Sequence, residues 1–501
     1  MIQFLSSLSQ TKRIWVLSII GLIISVVVSI LTYVNPVAPV VLMLVVFVIA
    51  YIIFLFRDPS IGLVALIIYC FTFGIFGREV GGLPFGIGIE VFLLLAWFAI
   101  GILNRKYNWK ILDNSLNKLM LAWFLISVAE IANPAGASIM GWLQEIRSTA
   151  LFPLLCTPLV FLLFNSKKKM DMVLILFICL SLLATLNGIK QLKIGLSPGE
   201  QKFLDDGGAL THLIWGQLRV FSFYSDAGQF GASQASFVLL TAVLALGPFK
   251  KWKRALLGLA ALLTFYGMLI SGTRGALFAL VVGAFFAVFL TKNIRVLLIG
   301  SVVLLSFLFV LKYTNIGNGN YQIMRLRTAV DPKDASLNVR FMNQQVIGEY
   351  LKTRPFGGGL GVIGNWGKIY NGDKFLSTIE PDSYWVKIWA MYGIVGFILW
   401  FCMIMFIMGK CSGIIWKIED KGLRYKNIAM LATAAGLFFC SYGNEVMNSM
   451  PSALVTTVCF AFIYLSPGLD LQKKTEEMSN IESNTEEENI YSKVKEVGNA
   501  I

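Results

Sequence analysis

Charge is what this chain of 501 residues has least of: Asp, Glu, Lys and Arg make up only 14% of it, where a soluble protein carries roughly 25%. Histidine occurs once, as His212, and a lone loop histidine reads as incidental. The seven cysteines (Cys70, Cys156, Cys179, Cys402, Cys411, Cys440 and Cys459) show no metal-ligand spacing, which argues against both a zinc site and a disulfide framework. What fills the chain instead is apolar: 57% hydrophobic residues and a mean hydropathy of +0.73. A soluble enzyme, a secreted disulfide scaffold and a disordered protein are excluded on these grounds. The formal charge of +14 would suggest nucleic acid in a soluble protein. Here the basic residues lie between apolar runs, so the excess reads as membrane topology and no nucleic-acid partner is expected.

Apolar runs of the length that crosses a bilayer as a helix, about 17 to 25 residues, occur at 14–34, 37–56, 61–76, 85–103, 116–132, 149–164, 171–188, 227–247, 254–270, 274–290, 295–312, 384–409, 428–442 and 451–466. The expected fold is therefore all-α, a polytopic bundle of about 12 to 14 transmembrane spans over residues 1–466. Placing the N-terminus in the cytoplasm puts 25 of the 42 basic residues on the inner side, including Lys167–Lys168–Lys169 and the cluster Lys250, Lys251, Lys253 and Arg254. Residues from about 467 to 501, with Glu476, Glu477, Glu482 and Glu486–Glu487–Glu488, read as a disordered acidic tail on the same side.

Of the other 17 basic residues, 13 fall in two long outer segments, about 189–226 and 312–383, where topology selects against them. The first ends in Leu218-Arg219-Val220-Phe221-Ser222-Phe223-Tyr224-Ser225-Asp226, placing Arg219 and Asp226 at the membrane face. Between two spans stands Ser271-Gly272-Thr273-Arg274-Gly275-Ala276, an arginine at a turn with no room for a loop. An arginine there is costly unless it meets an anion, an acid or lipid headgroups, and its planar fork of donors suits phosphate oxygens. In the large outer loop, about 313–383, the spacing of Met342, Val346, Ile347, Tyr350 and Leu351 predicts an amphipathic helix over 340–353. It runs into Arg354-Pro355-Phe356-Gly357-Gly358-Gly359-Leu360-Gly361, a helix stop and a flexible turn; without a following Gly-Lys-Ser/Thr this is no P-loop. The loop closes on Glu380-Pro381-Asp382-Ser383, where either Asp382 or Ser383 caps the next helix and a carboxylate just above the membrane could take a proton from a sugar hydroxyl. Glu445 and Asn448 in the last outer loop are further polar residues within possible reach of such a site.

Arg219 before a span, Ser-Gly-Thr-Arg-Gly-Ala at 271–276, Arg340 opening the loop helix, Pro355 to Gly361 closing it, and Gly393 and Gly396 in the following span together resemble the O-antigen ligase and polymerase superfamily over residues 215–410. The resemblance implies a bacterial inner-membrane enzyme that needs no metal or other cofactor. Such enzymes take undecaprenyl-diphosphate-linked glycans as donors at the periplasmic face and transfer them to lipid A core or to another glycan. It also implies that Arg219 and Arg274, with Arg340 as a third candidate, hold the donor diphosphate. Many ligases carry a histidine where this chain has Asp382. The expected reaction is a single inverting displacement, with Asp382, or Glu380 or Asp226, as base and arginines neutralising the leaving diphosphate; helix and glycine turn would act as a lid. A repeat-unit polymerase is the alternative within the superfamily. A transporter or flippase is the alternative outside it, disfavoured because ionisable residues gather at one face and not at the bilayer midplane.

Overall fold

The computed structural model describes residues 38–81, 84–103, 107–292, 294–317, 319, 321–328 and 335–472, with the single positions 18, 25 and 29. Apart from those three positions the first apolar run lies outside the described residues, as do Lys333 of the large loop and the acidic tail beyond residue 472; residues 467–472, expected to begin the disordered tail, instead continue the last helix. The structure is helical, with a single two-residue strand pair among the described residues. Each of the apolar runs from 37–56 onward coincides with a helix. They are α1 (Ala38–Arg57), α2 (Ser60–Val80), α3 (Ile87–Ile102), α4 (Ser115–Ala129), α5 (Ile139–Leu163), α6 (Lys167–Lys193), then, after a polar segment, α9 (Ala227–Ala245), α10 (Lys251–Ile270), α11 (Arg274–Leu290), α12 (Ile294–Tyr313), α16 (Tyr384–Lys417), α17 (Lys421–Cys440) and α18 (Ser452–Gln472). Eight are long and apolar enough to cross a membrane by length and composition alone. The protein is a multi-pass membrane protein of the all-α class.

The polar segments carry the short elements: α7 (Pro198–Phe203), α8 (Ala209–His212) and the hairpin β1 (Leu213–Ile214) with β2 (Gln217–Leu218) in the first, and α13 (Tyr321–Arg327), α14 (Ala335–Leu351) and α15 (Gly364–Tyr370) in the second. Two compact units are present. The smaller lies within Met1–Ile61 and Phe98–Asn104 and contains α1, with Phe56 edge-on to Phe98 at 6.2 Å. The larger, Gly62–Trp97 and Arg105–Ile501, contains everything described below.

The larger unit is built around α9, which packs against α10, α11 and α17. Its buried face is rich in Ala, Gly and Ser, and small residues let helix backbones approach closely where lipid offers no hydrophobic drive for association. A Cβ on Gly231 would stand 2.3 Å from Ser271 Oγ; one on Gly283 of α11 would meet Ala432 O at 2.8 Å, and one on Gly436 of α17 would meet Ala279 O at 2.7 Å. Polar side chains tie α9 to its other neighbours. Gln234 Oε1 accepts from Thr185 Oγ1 on α6 at 2.9 Å, and Gln229 Nε2 donates to Ser452 Oγ on α18 at 2.9 Å. By contrast α10 turns Leu256, Leu259 and Leu262 outward, an exposed apolar stripe suited to lipid contact.

The long helix α16 is broken at Gly393, which adopts φ 66° and ψ −169°. The glycine run after α14 seats itself in this break. Gly358 N donates to Ala390 O and Gly359 N to Met391 O, both at 2.9 Å, and Val395 N donates to Pro355 O at 3.2 Å. A Cβ on Gly357 would lie 2.4 Å from Gly393 N, and one on Gly393 would lie 2.1 Å from Pro355 O. The expectation of a flexible turn is therefore corrected: these glycines serve close backbone approach, Gly357, Gly359 and Gly361 at positive φ, and Leu360, Val362 and Ile363 beside them are buried. The loop helix is present as α14, with Ile347 and Leu351 buried and Met342 and Val346 exposed.

Candidate functional site

The head of α9 sets the floor of the site. Asp226, extended at φ −156°, caps the helix by accepting from Gln229 N at 2.9 Å, and its other oxygen accepts from Ser225 Oγ at 2.8 Å. His212 is buried beside it. Its Nε2 accepts from Ala227 N at 3.1 Å while Nδ1 donates to Gly208 O at 3.0 Å, which assigns the neutral, Nδ1-protonated form. Burial and the Arg219 guanidinium lower its pKa, against the Gly208 carbonyl, which raises it. The sole histidine, read as incidental, thus holds the start of the central helix. Because the folded pKa lies below the unfolded value of about 6.5, the stability His212 contributes is full above that pH and is lost as pH falls toward the folded value. The melting midpoint should therefore decline on acidification below about pH 6.5, with a shallower slope in His212→Phe.

From His212 the chain makes the β1–β2 hairpin through Trp215 and Gly216, both at positive φ as a tight hairpin turn requires. This returns Arg219 over the turn between α10 and α11. Its Nε donates to Ser271 O at 3.3 Å, Nη1 to Thr211 O at 2.8 Å and Nη2 to Thr273 Oγ1 at 3.2 Å. Thr273 Oγ1 in turn donates to Ala227 O at 2.7 Å, locking the turn to α9. Gly272 takes φ +57°; a Cβ there would lie 3.5 Å from Arg219 Cγ and 3.7 Å from Arg325 Cγ. Arg274 is then the first residue of α11, whose N-cap Thr273 makes no side-chain cap bond. Gly275 leaves room for Asn444: a Cβ there would stand 2.0 Å from Asn444 Nδ2 and would push that side chain aside.

Above this floor lies a cavity of about 310 Å³, lined by Arg219, Arg274, Arg325 and Arg340 and by Asp226 and Asp382. Arg325 comes from α13 and donates through Nε to Gly272 O at 3.3 Å. Arg340 comes from α14, with Nε 3.9 Å from Asp382 Oδ2. Four guanidinium groups against two carboxylates leave a net positive cavity. Burial, then the neighbouring Arg325, bring the Arg219 pKa down to about 10, opposed by Asp226. Crowding of like charge on this scale is relieved by an anion, and the N-terminus of α11 adds its positive dipole end.

Asp382 and Ser383 compete for the head of α16, and Ser383 is the cap: its Oγ accepts from Val386 N at 3.3 Å. Asp382, at φ 48°, has a left-handed backbone that a cap residue does not adopt. Its carboxylate is half exposed into the cavity. Desolvation raises its pKa above the usual carboxylate range, helped by Glu380 and Glu445 and opposed by Arg340.

Residues 259–401, from α10 into α16, match a protein family described as O-antigen ligase. Over this stretch the chain is similar to the O-antigen ligase family. No curated protein matches it. The matched stretch contributes Arg274, Arg325, Arg340 and Asp382 to the cavity, while Arg219 and Asp226 lie before it in the chain. Of the residues singled out in the sequence, Arg219, Arg274, Arg340, Asp226 and Asp382 converge on this one cavity. Glu380 does not: its carboxylate pairs with Lys368 Nζ, and its carbonyl accepts from Asn343. Glu445 and Asn448 line a neighbouring cavity. Sequence reasoning missed Arg325 and Asn444 as lining residues. Arg325 stood among the excess bases of the large loop, and Asn444 had no signal beyond its place next to Glu445.

Proposed function

We propose that the protein is a glycosyltransferase of the bacterial inner membrane that moves a glycan from undecaprenyl diphosphate to an acceptor hydroxyl at the periplasmic face. The acceptor is lipid A core in the ligase reading and a second lipid-linked glycan in the polymerase reading. One observation carries this: four arginines meet in one cavity beside a half-exposed carboxylate that caps no helix. The polyprenyl chain lies in lipid and its diphosphate enters the cavity. Asp382 removes the proton from the acceptor hydroxyl, whose oxygen attacks the anomeric carbon as the bond to the phosphate oxygen breaks, inverting that centre. Arg274, Arg219, Arg340 and Arg325 hold the charge that develops on the leaving diphosphate. Asp226 is committed to capping α9 and holds no proton-transfer role in this scheme.

The test is transfer by purified protein in nanodiscs with EDTA present, offering an undecaprenyl-diphosphate-linked glycan and either lipid A core or more donor as acceptor. Product on lipid A core marks a ligase and lengthening of the donor glycan a polymerase; absence of product with both acceptors, while the donor still binds, overturns the transferase reading. Within that assay Asp382→Asn should lose about 10²-fold or more in rate. Wild-type activity should fall as the medium is acidified through the raised pKa of Asp382, because the base must be ionised. The asparagine variant should lack that limb.

A further inference from the structure

A second, larger cavity of about 550 Å³ stands back to back with the first. Two pairs of consecutive residues form the partition: Ser225 faces the second cavity and Asp226 the first, Glu445 the second and Asn444 the first. Its size lies in the range of about 300 to 1,000 Å³ usual for ligand pockets. Its lining differs in kind. It contains no arginine cluster; three carboxylates, Glu90, Glu145 and Glu445, face two cations, Arg147 and Lys387. All five are bound into ion pairs. Arg147 forks onto Glu90 at 2.7 and 3.0 Å, and Lys387 Nζ lies 3.1 Å from both Glu145 and Glu445. A phosphate or carboxylate entering here would find its cations occupied and a surplus negative charge.

Two aromatic rings supply what the charges do not. Trp366 and Tyr370 stand one turn apart on α15, their ring centroids 6.0 Å apart and their planes within 26°. The helix that presents them is bolted at both ends. Gly364 at its start packs beside Lys387 and Glu445, and the buried Asn371 at its end accepts from Ser138 N at 2.6 Å and donates to Gly361 O at 2.9 Å. Across the cavity α5 runs as a π-helix from Arg147 to Leu151. Gln144, Glu145, Arg147 and Ser148 of α5 line this wall of the cavity. Asn448 Oδ1 in the wall is buried without a hydrogen-bond partner. Aromatic faces carry partial negative charge and attract the apolar, weakly positive C–H face of a sugar ring, while fixed amide and carboxylate acceptors take its hydroxyls.

We propose that this second cavity binds an uncharged or amino-bearing sugar segment of the acceptor glycan, stacked on Trp366 and Tyr370, and presents its terminal hydroxyl across the partition to the arginine cavity. This rests on the transferase reading for its role in the reaction, but glycan binding can be measured without turnover. The probes are two: farnesyl diphosphate for the arginine cavity, and oligosaccharide released by mild acid from the lipid-linked pool of the native cell for the aromatic cavity. With full-length protein in nanodiscs, saturation-transfer NMR should detect both. Trp366→Ala and Tyr370→Ala should each weaken the oligosaccharide at least tenfold and leave farnesyl diphosphate unchanged, with melting midpoints near wild type. Inorganic diphosphate should displace farnesyl diphosphate and leave the oligosaccharide in place. No oligosaccharide binding to the wild type, undiminished binding in both aromatic variants, or displacement by diphosphate would overturn the proposal. Loss of farnesyl diphosphate binding alone would instead sink the donor-site reading and leave the sugar site standing.

Discussion

Arg274→Ala is expected to slow glycan transfer by about 10²- to 10³-fold, the loss usual when one fixed donor to a developing negative charge is removed from a water-poor site. The charge in question appears on the diphosphate as the glycosidic bond breaks, so the effect should fall on the rate at saturating donor more than on donor affinity. Arg274→Lys should recover little, because a single ammonium cannot reproduce a planar fork of donors. Arg219→Ala is a blunter instrument. Its guanidinium also binds the carbonyls of Ser271 and Thr211 and the Thr273 hydroxyl, so its removal loosens the turn that carries Arg274. Single-turnover rates in nanodiscs, read beside the melting midpoint, separate the two effects. An Arg274→Ala enzyme of wild-type speed would end the diphosphate assignment.

Lys387→Met is expected to destabilise the protein by about 3 to 5 kcal/mol, the range for breaking a buried ion pair by removing one partner. Lys387 is 7% exposed and sits between Glu145, 0% exposed, and Glu445, 28% exposed. Without the ammonium, two carboxylates from α5 and from the segment after α17 face each other across a low-dielectric gap. Glu445 can turn toward water; Glu145 cannot. The double variant Lys387→Met with Glu145→Leu should recover most of the loss, since an apolar replacement for a buried pair is often neutral or better. Melting midpoints at a fixed scan rate in one detergent measure both. A single variant that melts with the wild type would show that the triad contributes nothing to holding these three segments together.

How far the sequence could be read depended on how local each signal was. Helices α1 to α6, α9 to α12 and α16 to α18 announce themselves as apolar runs, because crossing a bilayer needs only length and apolar composition. Arg274 was legible because a charged residue between two abutting spans has no bland place to go. Arg325 was not: it lies 51 positions from Arg274, and only the return path of α13 over Gly272 brings its Nε to that carbonyl. Asp382 and Ser383 were indistinguishable as caps until the backbone angle of Asp382 was known. The run Gly357 to Gly361 was misread because glycine serves looseness and close packing alike, and the kink that receives it lies more than thirty residues further on, at Gly393.

That seated glycine run has a consequence for life in membranes of different thickness. Helices adapt to bilayer thickness by tilting, and in an unbroken α16 any tilt would swing Asp382 and Lys387 with it. The break at Gly393 divides α16 into a head, from Tyr384 to Tyr392, and a longer shaft running to Lys417. The head is hydrogen-bonded to the loop through Ala390 and Met391. The first turns of the shaft are tied in as well, with Val395 N bonded to Pro355 O and Trp400 and Phe401 packed on Tyr384 and Trp385 of the head. Only the remainder, from Cys402 to Lys417, can be lengthened or resurfaced to suit a new lipid composition while the head keeps its place, so homologues in thicker or thinner membranes should vary along that distal part and keep the head and its glycine socket.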